Sequence, residues 1–204
     1  MFLAFLHGFL LAIGLILPLG AQNIYVFSQG MIQPSIIKAL PVVITAALAD
    51  TLLILFAVGG VSLAVLSFYW LKTALVIVGV IFLTYIGRIT WKSGLGGTIQ
   101  TDGQVHWSVK KQIVFALSVS LLNPHAILDT IGVIGTSSLS YTGNEKTAFG
   151  IACISVSWVW FLFLAIAGRT VGAAGKTESI MTAVNKISAV IMWGCAVYLL
   201  LTLA

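Results

Sequence analysis

Six long apolar runs follow one another along the chain, at 2–27, 36–61, 67–90, 112–137, 147–168 and 180–203. Each is close to the roughly 20 residues that an α-helix needs to cross the hydrocarbon of a bilayer. The stretch 94–108, rich in Gly, Thr and Gln, is the one substantial loop between them. The pattern predicts an all-α polytopic membrane protein with six transmembrane helices, forming a single transmembrane domain over residues 1–204. The first run lacks a basic leader and a convincing small-residue cleavage site, so it reads as a membrane helix rather than a signal peptide.

Two of the runs are interrupted. The fourth contains Asn123-Pro124-His125 and then Asp129. Proline has no backbone N–H and clashes with the preceding turn. Asn123 before Pro124 also has the form of an N-cap followed by a first helical position, so a half-helix starts there. The first run contains Pro18-Leu19-Gly20-Ala21-Gln22-Asn23. Setting Pro18 against Pro124 pairs Asn23 with Asp129, an offset of 106, and an offset of 107 sets Asp50 against Ser157. Each half (about 1–93 and 109–204) carries three runs, an odd number, so the second half is inverted in the membrane. Two inverted three-helix repeats with interrupted first and fourth helices are the pattern of a secondary transporter.

Composition sharpens this reading. The chain is 60% hydrophobic and 7% charged, where a soluble domain has about 25% charged residues. The net charge of +5 comes from basic residues between the runs or near their ends, which reads as topology and not as a nucleic-acid surface. With the N-terminus outside, Lys38, Arg88, Lys92, Lys110, Lys111, Arg169, Lys176 and Lys186 share one side, and Lys72 and Lys146 share the other. The bias places both termini outside and the central loop in the cytoplasm. Cys153 and Cys195 lie within apolar runs and suggest neither a disulfide framework nor a zinc site. Three scattered histidines make no metal site, and no cofactor is implied. Faces of small residues such as 168–175 allow helix contacts and an oligomer without requiring one.

The acids carry the chemistry. Asp50 lies 12 residues beyond Lys38, about 18 Å along a helix and so near mid-bilayer. Pro124 lies at a similar depth, and Asp129 is about 7.5 Å further along. Both carboxylates can border one central cavity. Ionisable groups within membrane segments mark substrate and proton pathways, which makes Asp50 and Asp129 candidates for substrate binding and proton coupling. Half-helix N-termini after Pro18 and Pro124 offer partial positive charge to an anion. Gly20 permits close backbone approach, and Gln22 and Asn23 are amides at membrane depth. His125, Ser157 and Trp158 complete the candidate set, with Trp158 able to cover a cation by its ring face. A site that offers carboxylates and helix N-termini together suits a zwitterion with an additional positive charge, which describes lysine or arginine.

Pro18-Leu19-Gly20-Ala21-Gln22-Asn23, the Ala49-Asp50 pair, Asn123-Pro124-His125 with Leu128-Asp129-Thr130, and Ser157-Trp158 followed by Trp160-Phe161 together resemble the LysE-type amino-acid exporter family. The chain is most similar to its lysine/arginine exporter branch, over essentially its whole length. The related branch for neutral amino acids typically has Asn-Pro-Lys at 123–125 and no acid at position 129. Ala21 stands where the family often has proline. The resemblance implies efflux of basic amino acids across the cytoplasmic membrane of a bacterium. Consistently, no glycine-rich ATP-binding loop is present.

Three other readings compete. One is export of neutral amino acids. Another is export of a divalent metal through the carboxylates and His125, for which an amide-rich shell is a poor match. The last is an intramembrane aspartyl protease, which resembles a Gly-x-Gly-Asp pattern that Ala49-Asp50 and Leu128-Asp129 lack.

Overall fold

The computed structural model describes residues 1–17, 20–61, 69–92, 108–121, 126–127, 129–173 and 177–201. Among these residues the chain is helical, with no strands. The helices are α1 (Phe2–Ile16), α2 (Ala21–Ile32), α3 (Ile36–Phe56), α4 (Tyr69–Lys92), α5 (Val109–Leu121), α6 (Gly143–Ala173) and α7 (Thr177–Leu201). A π-helical segment, Asp129–Gly135, and one α-turn, Thr136–Ser138, lie between α5 and α6.

The first apolar run is indeed divided. It forms α1 and α2, whose axes differ by 78°. The fourth run forms α5 and then the π-helical segment. α3 closes in the turn Ala57–Val61, where Gly60 takes φ 102°, a left-handed conformation that side chains disfavour. The fifth run is longer than its apolar core: α6 has 31 residues, about 46 Å. Among the described residues, α3 with its closing turn and α6 are each long and apolar enough to cross a membrane. The bent pair α1–α2 makes a third such span if taken as one. The loop at 94–108 falls almost wholly outside the described residues.

Large apolar side chains are exposed, and several polar ones lie inside beside the apolar core. Gln22, Asn23, Gln29, Gln33 and Ser157 are buried, while Leu48, Leu52, Leu55, Val159, Phe163 and Ile166 are exposed. A surface of leucine and phenylalanine with amides inside is what a lipid solvent selects, because hydrocarbon cannot satisfy amide groups.

α6 is the organising helix. Met1 and Glu145 meet at its start through an ion pair of 3.0 Å. Further along, Gly8 approaches Phe149 and Ala152, Gly168 approaches Phe27, and Gly172 approaches Met31. The numbering rises together along the helices, so α1 and α2 each cross α6 in the same sense rather than antiparallel to it. α3 runs antiparallel to it, because Asp50 meets Ser157 while Val58 meets Gly150. α4 and α7 form a second antiparallel pair. Trp193 donates to the Thr84 carbonyl at 3.4 Å, and Lys186 lies 6.0 Å from the Trp91 ring centroid.

The small residues at 168–172 are used within the chain. A Cβ at Gly168 would collide with the Phe27 carbonyl oxygen, one at Gly30 with that of Ala165, and one at Gly172 would lie 2.5 Å from that of Met31. Small residues let membrane helices approach backbone to backbone, and here they fasten α2 to α6. Overpacking such a seam costs about 1–3 kcal/mol. Gly168→Val therefore lowers the thermal unfolding midpoint of the detergent-solubilised protein. Gly194→Ala, where an added Cβ meets nothing within 4 Å, keeps or raises the midpoint.

Candidate functional site

The bundle holds a partly open cavity lined from α1, α2, α3, α6 and the π-helical segment, with Leu83 of α4 and Met192 of α7. About 100 Å³ of it is open to the centre of a water molecule. One water needs roughly 10–15 Å³ on that measure, so the space holds several waters or a small polar solute.

The polar wall is built from three directions. α2 begins here: its N-cap is Gly20, in extended conformation, with no side-chain cap. Gly20, Gln22 and Asn23 all line the cavity. Asn23 donates from Nδ2 to the Ile16 carbonyl at 2.8 Å, satisfying an acceptor exposed by the end of α1 and tying the two half-helices together.

α3 contributes Asp50. Its Oδ1 accepts from Gln22 Nε2 at 3.1 Å, and its Oδ2 accepts from Ser157 Oγ at 3.1 Å. Gln22 Nε2 also reaches the Ala46 carbonyl at 3.4 Å. One carboxylate thus joins α2, α3 and α6. The third direction is the π-helical segment, whose first residue, Asp129, lines the cavity together with Thr130. Much of the remaining lining is apolar, with Ile16, Ile54, Leu83, Phe161 and Met192. Among the described residues no Lys, Arg or His lines the cavity. Two carboxylates among apolar side chains suit a cation on an aliphatic stem.

The structure therefore brings Gly20, Gln22, Asn23, Asp50, Asp129 and Ser157 to one cavity. Pro18, Asn123, Pro124 and His125 lie outside the described residues. Trp158 does not line the cavity. Its indole is exposed and donates from Nε1 to Thr51 Oγ1 at 3.1 Å, and Thr51 in turn donates to the Ala47 carbonyl at 2.6 Å. The reason is geometric: successive residues on a helix point about 100° apart, so Ser157 turned inward leaves Trp158 to the side. Cys153, Phe161, Ile54 and Thr130 line the cavity without having been singled out from the sequence. Helical spacing marks three of them: Cys153 and Phe161 flank Ser157 by four residues, and Ile54 follows Asp50 by four.

His7 is distant from this chemistry. It pairs with the Tyr141 hydroxyl at 2.8 Å and packs on Phe149 near the start of α6. Among the described residues no group of three or more His, Cys, Asp or Glu side chains is placed to hold a metal.

A helical membrane protein with apolar flanks and an acidic cavity at a broken helix has the build of a transporter. The family model for the LysE type translocator matches residues 13–203. The chain is 52% identical over 195 residues to the "Putative amino-acid transporter YisU" of Bacillus subtilis (strain 168), covering 96% of this chain and 88% of that protein. It is 34% identical over 202 residues to the arginine exporter protein ArgO of Serratia proteamaculans (strain 568), covering 98% of this chain and 97% of that one. Against ArgO of Pectobacterium carotovorum subsp. carotovorum (strain PC1) it is 31% identical over 204 residues, with coverages of 98% and 97%. No solved structure matches the chain. The chain belongs to the LysE family of translocators, which are transporters and not enzymes.

The contact between Asp50 and Ser157 is testable apart from transport. In a double-mutant cycle with Asp50→Asn and Ser157→Ala, the two effects on thermal unfolding are non-additive, with a coupling of about 1 kcal/mol or more. Strictly additive effects contradict the contact.

Proposed function

We propose that this protein exports basic amino acids, arginine foremost, from the cytoplasm across the inner membrane of a bacterium. The observation that carries this reading is the convergence of Asp50 and Asp129 on one cavity at the start of α2, with no cationic side chain among its described lining residues. The ArgO relatives support arginine as cargo.

In this mechanism the substrate's guanidinium or ammonium group pairs with Asp129. The α-carboxylate sits at the uncapped first turn of α2, with Gln22 and Asn23 completing its shell. The aliphatic stem lies along the Ile54–Leu83–Met192 wall. Asp50 already accepts two hydrogen bonds, so it is the better candidate for the coupling proton. Once protonated, one of its oxygens becomes a donor, and Gln22 and Ser157 have to rearrange around it.

Alternating access between two inverted three-helix halves completes the proposal. Two hydrogen bonds join residues 107 apart, Asp50 with Ser157 and Thr51 with Trp158. Residues related by a two-fold axis meet each other only near that axis, so these paired contacts support a repeat centred between α3 and α6. The α4–α7 pair has the same antiparallel form, with its Thr84–Trp193 contact 109 residues apart. On the orientation read from the lysines and arginines, the end carrying Gln33, Lys38 and Arg169 faces the cytoplasm, and Met1 and Glu145 lie outside.

The membrane potential opposes export of a cation by about 2.3 kcal/mol per 100 mV. Proton entry in exchange cancels that charge movement, which favours antiport. Proteoliposomes clamped at zero voltage test it: an imposed pH gradient drives flux of radiolabelled arginine through the wild type and not through Asp129→Asn. Absence of arginine flux from the wild type defeats the assignment, and flux indifferent to the gradient defeats antiport.

A further inference from the structure

The 106-residue offset that pairs Asn23 with Asp129 also pairs the first half-helix, α2, with residues 127–138. The two counterparts are built differently. α2 is a regular α-helix of 12 residues. It is held against α6 backbone to backbone, and there is no room for a methyl group at Gly30, Gly168 or Gly172. It cannot slide along α6 without separating that seam.

Its counterpart is the seven-residue π-helical segment Asp129–Gly135, followed by a single α-turn. A π-turn widens the helix and hydrogen-bonds less favourably than an α-turn, and such segments occur often at functional sites. Gly132 sits near its middle. An added Cβ there meets nothing within 4 Å, and Gly132 is not among the glycines with positive φ. Neither close packing nor a left-handed backbone requires glycine at this position. What glycine does provide is backbone freedom that alanine in a helix lacks. The Thr136 hydroxyl donates back to the Gly132 carbonyl and, at 3.3 Å, to that of Val133, a pattern that bends helices. The segment begins at the cavity with Asp129.

We infer that the two half-helices do not move alike: α2 stays fixed to α6, and the π-helical segment is the element that shifts in each transport cycle, carrying Asp129, with Gly132 as its pivot. Gly132 is then a positioning residue, acting on cargo through Asp129. The inference rests on the transporter reading above, and on arginine only as the probe.

Two readouts on the full-length protein test it. The first is amide hydrogen exchange of the purified protein without substrate. Amides of 129–135 exchange about 10-fold or more faster than those of 22–32, as expected for a locally opening segment beside a locked one. The second is radiolabelled arginine flux through Gly132→Ala and Gly194→Ala at matched membrane levels. Gly132→Ala keeps or raises the thermal unfolding midpoint yet loses most of its flux, while Gly194→Ala keeps or raises the midpoint and retains wild-type flux. Equal exchange in the two segments overturns the inference, as does wild-type flux through Gly132→Ala. If the wild type moves no arginine, the arginine assignment fails, and the exchange contrast alone decides whether the segment is the mobile one.

Discussion

One carboxylate in the middle of a membrane helix holds the centre of this molecule together. A charge at the bilayer midplane costs about 2.5–3.5 kcal/mol on insertion scales. A hydrogen bond to a charged group returns about 1.5–3 kcal/mol. The two donors on Asp50, Gln22 from α2 and Ser157 from α6, together return about 3–6 kcal/mol and offset the cost, which one alone covers only at the top of its range. Stability of the closed centre thus depends on three helices keeping their positions. Any motion that withdraws one donor leaves an expensive charge, which in the proposed mechanism a proton or a cationic substrate relieves. The same balance that makes Asp50 tolerable makes it responsive.

The remaining architecture serves that centre. Glycines on α2 and α6 bring two backbones into contact and fix where Gln22 stands relative to Ser157. Asn23 ties the start of α2 to the end of α1, so the first span can break without leaving the Ile16 carbonyl unsatisfied. Thr51 and Trp158 close the α3–α6 seam one residue beyond Asp50 and Ser157. The second acid, Asp129, is held differently, at the start of a π-helical segment rather than within a long α-helix. One acid therefore sits on a rigid tripod and the other on a deformable strut.

Much of this was legible in the sequence, for physical reasons that differ by residue. Hydrocarbon tolerates no unpaired backbone, so apolar runs of about 20 residues announce helices whatever their order. Asp50, Asp129, Gln22 and Asn23 stood out because polar groups at membrane depth need a partner. Ser157 was found through its offset of 107 from Asp50, and the two do meet. The π-helical segment was not legible, because i→i+5 bonding leaves no mark in a hydropathy pattern of Gly, Ile and Val. The start of α6 at Gly143 was hidden by Gly143-Asn144-Glu145, which reads as loop but is anchored by the chain's own N-terminus. Trp158, singled out by residue type, does not line the cavity. Its phase against Ser157 already turned it away from the cavity.

The central claim is that the acidic cavity recognises a positively charged side chain on an amino acid. Arginine and citrulline have nearly the same shape and differ in that charge, so their binding to the purified protein isolates it. A charge-assisted contact of about 1.5–3 kcal/mol predicts that wild type binds arginine about 10- to 100-fold more tightly than citrulline, and that Asp129→Asn brings the two close to equal. Equal binding of arginine and citrulline by the wild type would contradict the account.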